Sequence, residues 1–188
     1  MKKILALYVV LVGVLSVTSV FAQSTGFQSF SNYNVAVSCS CVLKPAATIE
    51  ENILMATVPL DEKMPPLKEK ASAYECTDNR IKADYHLEIT DKKAVYNSLS
   101  LTEYESTVQS KLDDYTLKCS KRGSIVKRVR IEGVYGISQI SHIGDLAIYN
   151  IYFIKNGMEY ILQVSGRERT GTDYQQVFVE FVKSFKML

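Results

Sequence analysis

The stretch Tyr149-Asn150-Ile151-Tyr152-Phe153-Ile154-Lys155-Asn156-Gly157-Met158-Glu159-Tyr160-Ile161-Leu162-Gln163-Val164 decides the fold. Asn156-Gly157 separates two runs rich in Ile, Val and Tyr. Both positions of a two-residue type I′ turn require positive φ, which Asn and Gly tolerate best. Such a turn sets the register: Phe153 opposite Tyr160, Ile151 opposite Leu162, Tyr149 opposite Val164. All six are apolar or aromatic, so that face belongs to a core. The other face pairs Ile154 with Glu159, Tyr152 with Ile161 and Asn150 with Gln163. That mixed set predicts partial cover by a helix or loop.

Towards the C-terminus, Thr172 and Gln175 suit a capping box. Tyr174, Val177, Phe178, Phe181, Val182 and Phe185 then recur at i, i+3, i+4, i+7, i+8 and i+11, the stripe of an amphipathic helix. Towards the N-terminus, His142-Ile143-Gly144-Asp145 reads as a loop. Residues 125–140 are rich in Ile and Val and broken by Gly133 and Gly136; they read as one long bent strand or two short ones. Ser100-Leu101-Thr102-Glu103 is a capping box. It opens a helix with Leu101, Tyr104, Val108, Leu112, Tyr115 and Cys119 on one stripe and Gly123 as terminator.

Residues 72–77 and 80–90 predict a hairpin about Asp78-Asn79, with Thr77 opposite Arg80, Cys76 opposite Ile81 and Tyr74 opposite Ala83. In its second arm Ile81, Ala83, Tyr85, Leu87 and Ile89 share the apolar face. Residues 33–43 alternate with period two, placing Tyr33, Val35, Val37, Cys39, Cys41 and Leu43 on one side of a strand. Residues 49–58 fit a helix or a strand, and 59–70, with three prolines amid charges, form a long loop. Tyr149, Tyr160 and Tyr174 take core positions, while Tyr96, Tyr135 and Tyr152 are candidates for a surface. Strands first, a helix, more antiparallel strands and a closing helix make an α+β fold: a mainly antiparallel sheet flanked by helices.

The chain has 188 residues, 47% of them hydrophobic and 22% charged, with a formal charge of +2. Its first residues have the layout of a secretory signal peptide. Lys2 and Lys3 precede the apolar run Ile4 to Val14, and Val20-Phe21-Ala22 offers small residues at a cleavage site before Gln23. The expected organisation is a signal peptide at 1–22 and a single domain at 23–188, exported to the periplasm or the extracellular space. Residues 1–22 hold two lysines and no acid, so the remainder carries 20 basic and 20 acidic side chains. A neutral domain gives no global pull towards nucleic acid, and cleavage leaves no stable membrane insertion.

The four cysteines all fall on inward faces: Cys39 and Cys41 on the first strand, Cys76 on the second, Cys119 on the helix stripe. An even count in an exported chain favours disulfides. A Cys39–Cys41 bond is disfavoured, since alternate residues of an extended strand stand roughly 6.6 Å apart, near the limit of disulfide geometry. One of Cys39 and Cys41 is therefore expected to bond Cys76 and the other Cys119. Four buried thiols are the plain alternative, and a four-thiolate zinc site is disfavoured by the tight Cys-x-Cys spacing.

Charge is segregated. Residues 61–117 hold eight basic and 12 acidic side chains, whereas Lys118, Lys121, Arg122, Lys127, Arg128 and Arg130 put six cations and no acid into 118–130. Lys121, Arg122, Lys127, Arg128 and Arg130 are the candidate binding residues, for an anionic or acidic partner. The plain alternative is cations complementing a helix C-terminus, followed by a solvated strand face. Asp84, His86 and Glu88 share a strand face that could hold a metal loosely or simply be wet. Neither His86 nor His142 has a nucleophile placed by spacing, and there is no phosphate loop, His-Glu zinc motif or nucleophile elbow. The expectation is a protein without catalytic residues, metal or cofactor.

A helix, the Gly-bearing strand Glu132-Gly133-Val134-Tyr135-Gly136, a hairpin, and a terminal helix ending Val182-Lys183-Ser184-Phe185-Lys186 resemble the PsbP-like group over residues 99–188. That group contains the photosystem II accessory protein and many secreted bacterial proteins. The resemblance implies an α/β/α sandwich and a non-enzymatic accessory or binding role towards a protein or envelope component. No metal-site residues carry over from it. The alternatives are a small-ligand carrier with a pocket between sheet and helix, and a hydrolase using His86 or His142.

Overall fold

A computed structural model describes residues 26–46 and 71–188. The expected signal peptide at 1–22, the ambiguous segment 49–58 and the expected loop at 59–70 lie outside the described residues. Among the described residues there are ten strands: β1 (Phe27–Phe30), β2 (Val35–Ser38), β3 (Lys44–Pro45), β4 (Ala71–Asp78), β5 (Ala83–Asp91), β6 (Ile125–Ile131), β7 (Val134–Ile143), β8 (Leu146–Lys155), β9 (Met158–Arg167) and β10 (Lys186–Met187). Three α-helices accompany them among these residues: α1 (Lys93–Tyr96), α2 (Leu101–Lys121) and α3 (Tyr174–Ser184). Seven strands form one antiparallel sheet in the order β3-β4-β5-β9-β8-β7-β6, and β1-β2-β10 form a smaller one.

The central hairpin has the register its turn dictates. Phe153 faces Tyr160, Ile151 faces Leu162 and Tyr149 faces Val164, and Asn156 and Gly157 have φ of 52° and 73°. One face of the large sheet packs on α3 and the small sheet, burying Phe153, Tyr160, Leu162, Val164, Leu87, Ile89, Phe178, Phe181 and Phe185 with Val35 and Val37. The other face packs on α2 through Leu112, Ile137, Tyr152 and Ile154. Helices on both faces make the fold α+β with an α/β/α layering. Gly166 makes the close approach of α3 possible, because a Cβ there would stand 2.1 Å from the Tyr174 ring. Tyr174 instead lies across that glycine and donates its hydroxyl to the Lys82 carbonyl at 3.0 Å.

The capping box of α2 forms, with the Glu103 amide donating to Ser100 and the Ser100 amide to Glu103. Gly123 follows the helix at φ 75°. Residues 125–140 are two strands, joined by a turn at Glu132-Gly133.

Several expectations change. The 72–90 hairpin is four residues out of the expected register: Cys76 faces Tyr85 and Asp78 faces Ala83. The Asp78 carboxylate accepts from the Arg80 amide at 2.9 Å, which winds residues 79–82 into a wider loop, with Lys82 at φ 56°. An even shift leaves every side chain on its original face, so Ala83, Tyr85, Leu87 and Ile89 are buried as expected. The first strand runs only from Val35 to Ser38, since a 3-10 turn at Ser31–Tyr33 precedes it and a bend at Ser40–Cys41 follows. Residues 142–145 are the end of β7 and a two-residue turn, because Ile143 pairs with Leu146. Asp173 rather than Thr172 caps α3, accepting from the Gln176 amide at 2.9 Å, while the Thr172 hydroxyl is drawn to the Ile81 carbonyl. Leu101, at the first turn of α2 ahead of its contact with the sheet, is 74% exposed. Tyr96 and Tyr152 are buried, at 4% and 7%, because both hydroxyls find Glu159 beneath α2.

Candidate functional site

The five candidate basic residues divide into three places. Lys121 and Arg122 lie at the C-terminal end of α2, Arg122 being its cap residue, where cations complement the helix dipole. The other three lie on β6, an edge strand of the large sheet. Strand alternation sends them to opposite faces. Lys127 goes with Val129 and Ile131, which pack towards the α3 core. Arg128 and Arg130 go with Val126, on the α2 face. Arg128 donates to the Gln109 side chain of α2 at 2.5 Å, and Gln109 donates to Asp113 at 2.7 Å.

The guanidinium carbons of Arg128 and Arg130 stand 5.3 and 5.1 Å from the centroid of the Tyr135 ring. Tyr135 is opposite Arg130 in the register and is 51% exposed. Two cations over one aromatic ring, on a strand whose outer edge has no neighbour among the described residues, make a small amphipathic surface. The basic run is thus a pair of arginines with a tyrosine, a lysine on the reverse face, and a helix terminus. The charge pattern pointed to the arginines; the role of Tyr135 required the β6–β7 register.

The cysteines divide likewise. Cys41 and Cys76 form a disulfide across a sequence separation of 35, a closure that stabilises by about 4 kcal/mol in the chain-entropy picture. The expected second bond to Cys119 does not form. Cys119 lies on the buried side of α2, where its thiol donates to Gln139 at 3.2 Å, while Cys39 and Cys41 belong with the α3 core on the other side of the sheet. All four positions are inward, but towards two different interiors. The Cys39 sulfur sits 3.9 Å from that of Cys76 and donates to the Cys41 carbonyl at 2.9 Å. Burial pushes the Cys39 thiol pKa up. Arg80 fixes this corner: its Nη2 donates to the Ser40 carbonyl at 3.1 Å and to the Asp78 carboxylate at 3.0 Å. Burial drives the Asp78 carboxyl up, yet hydrogen bonds from Arg80 and Ser40 outweigh it and hold the pKa at about 2.

A polar layer under α2 has no sequence signature. The Gln139 carbonyl accepts from Tyr115 at 3.1 Å, Asn150 at 3.1 Å and Cys119. Its amide donates to Ser124 and Ser141 at 2.9 and 2.8 Å. Beside it the Glu159 carboxylate accepts from Lys111 at 2.6 Å, Tyr96 at 3.0 Å and Tyr152 at 3.1 Å. These groups, with Leu112, Ile137 and Ile154, make the contact between α2 and the sheet, where a carrier's pocket is the alternative expectation.

Asp84, His86 and Glu88 share the expected strand face but do not converge. Asp84 accepts from Thr77 at 2.6 Å. Burial holds the His86 pKa down to about 4, and its Nε2 has no hydrogen-bond partner among the described residues. His142 meets Glu168 at 3.1 Å in an exposed pair. Among the described residues, Cys39, Cys41 and Cys76 are the group of potential metal ligands that does converge, with all three sulfurs within 4.8 Å of one another. Among the described residues no helix is long and apolar enough to cross a membrane. In comparisons with known proteins, no family model matches this chain and no curated protein matches it.

Proposed function

We propose that this chain is an exported, non-enzymatic accessory or binding protein that presents the Arg128–Arg130–Tyr135 edge to an acidic, extended segment of a protein partner. The observation that carries this reading is the pair of guanidinium groups over the half-exposed Tyr135 ring on an edge strand. Edge strands recruit extended peptides through their unpaired backbone groups, and two arginines on one face select for carboxylates. The Cys41–Cys76 bond supports export, since disulfides persist in oxidising compartments. The resemblance of residues 99–188 to the PsbP-like group supports an accessory role.

The test is titration of a fluorescent Glu-rich peptide of extended character at low and at physiological salt. The wild type binds, weakening as salt rises. The double variant Arg128→Glu, Arg130→Glu binds at least about tenfold more weakly, a loss of about 1.4 kcal/mol. Both positions are exposed, so the variant keeps wild-type stability to within about 0.5 kcal/mol. Equal binding by wild type and variant overturns the proposal.

A further inference from the structure

We propose that Cys39, Cys41 and Cys76 form a three-thiolate site for a soft cation, Cu(I), which becomes available when the Cys41–Cys76 disulfide is reduced. Three sulfurs in a plane, each about 2.3 Å from one ion, stand about 4 Å from one another. The Cys39–Cys76 separation is already 3.9 Å, and the three sulfurs lie within a 4.8 Å span. The bonded Cys41–Cys76 pair must open. Reduction opens it: a dithiol donates two electrons and two protons and leaves as its own disulfide, giving two thiols here. Metal uptake then releases the thiol protons to solvent.

The surroundings hold the three donors in place independently of that bond. Ser40, between two of the cysteines, is fixed through its carbonyl by Arg80 and through its hydroxyl by Tyr85 at 3.1 Å. Cys76 sits in the β4 ladder opposite Tyr85.

They also decide the kind of ion. Cys76 and Tyr85 face the α3 core, whereas His86, the next residue on β5, points to the reverse face. Asp78, the carboxylate at this corner, is held by three hydrogen bonds from Arg80. The donor set is therefore three sulfurs with no nitrogen or carboxylate from the described residues. Zinc in closed sites takes four protein ligands. Soft thiolates select Cu(I), whose coordination three of them complete.

The experiment uses the full chain, reduced with a water-soluble phosphine, which takes an oxygen from water and leaves as phosphine oxide. After its removal, the anaerobic protein competes with a chromophoric bicinchoninate chelator for Cu(I). The wild type is expected to withdraw one equivalent. Cys39→Ser, which keeps the Cys41–Cys76 pair and so folds before reduction, holds the ion at least about tenfold more weakly. Cys119→Ser, altered on the other side of the sheet, matches the wild type. Three results overturn the proposal: a wild type that leaves the ion with the chelator, a Cys39→Ser variant that competes equally, or a Cys119→Ser loss as large as that of Cys39→Ser. If reduction loosens the fold, X-ray absorption of the Cu(I)-loaded chain still decides, with three sulfur neighbours expected and two overturning it.

Discussion

The two faces of the large sheet differ in kind. On the α3 side, Phe153, Tyr160 and Phe185 pack ring against ring, with Phe153 and Tyr160 stacked at 5.0 Å and Phe185 edge-on to both. On the α2 side, hydrogen-bonded side chains do much of the joining, centred on Gln139 and Glu159. The first interior is non-directional and tolerant of small shifts. The second demands that each donor meet its acceptor, because an unmet polar group in a dry place costs more than a met one gains.

The largest effect is therefore expected at the centre of the aromatic side. Phe153 is fully buried between Tyr160 and Phe185. Phe153→Ala removes a ring and leaves a cavity, and it should cost about 3–5 kcal/mol. Urea unfolding monitored by far-ultraviolet circular dichroism measures this directly. A loss below about 1 kcal/mol would show that α3 collapses readily onto the sheet.

A second contrast concerns acid. His86 belongs to the polar face, and burial lowers its pKa to about 4 from an ordinary 6.5. The unfolded chain takes up a proton below pH 6.5 while the folded chain does so only near pH 4. Stability supported by neutral His86 is thus complete above pH 6.5 and is lost as pH falls from 6.5 towards 4. The span corresponds to roughly 3 kcal/mol as an upper figure. The stability of His86→Leu, measured alongside the wild type from pH 7 to 4, should lack this slope. Parallel profiles would exclude His86 as the source.

These contrasts explain what was legible in the residues. Asn156-Gly157 fixed a register because its turn length and both φ angles follow from local chemistry. The α3 stripe was readable because six positions agree on one period. The Asp78-Asn79 turn misled, since the Asp78 carboxylate reaches past Asn79 to Arg80 and widens the loop, an interaction that alternation does not encode. Cys119 misled for a larger reason. Periodicity tells inward from outward but not which of two interiors a residue enters, so it leads to the Cys76 disulfide in kind and sends the other across the sheet. For the basic run, charge density located the arginines, whereas the partition among two strand faces and a helix end needed three-dimensional placement.

The smallest effects test the polar and aromatic faces against each other through one group on each. Gln139 is buried and satisfies five partners. Gln139→Leu keeps most of the volume but strands Asn150 and Tyr115, and it should cost about 1–3 kcal/mol. Tyr160 carries a buried hydroxyl with no hydrogen-bond partner among the described residues. Tyr160→Phe removes that polar atom and keeps the stacked ring, so it should leave stability unchanged or raise it by up to about 1 kcal/mol. Paired urea titrations of the two variants read both signs in one experiment. If Gln139→Leu is neutral, the layer beneath α2 is held by shape and the distinction between the faces fails. If Tyr160→Phe is destabilising, its hydroxyl has a partner and the aromatic face is less purely apolar than its ring packing suggests.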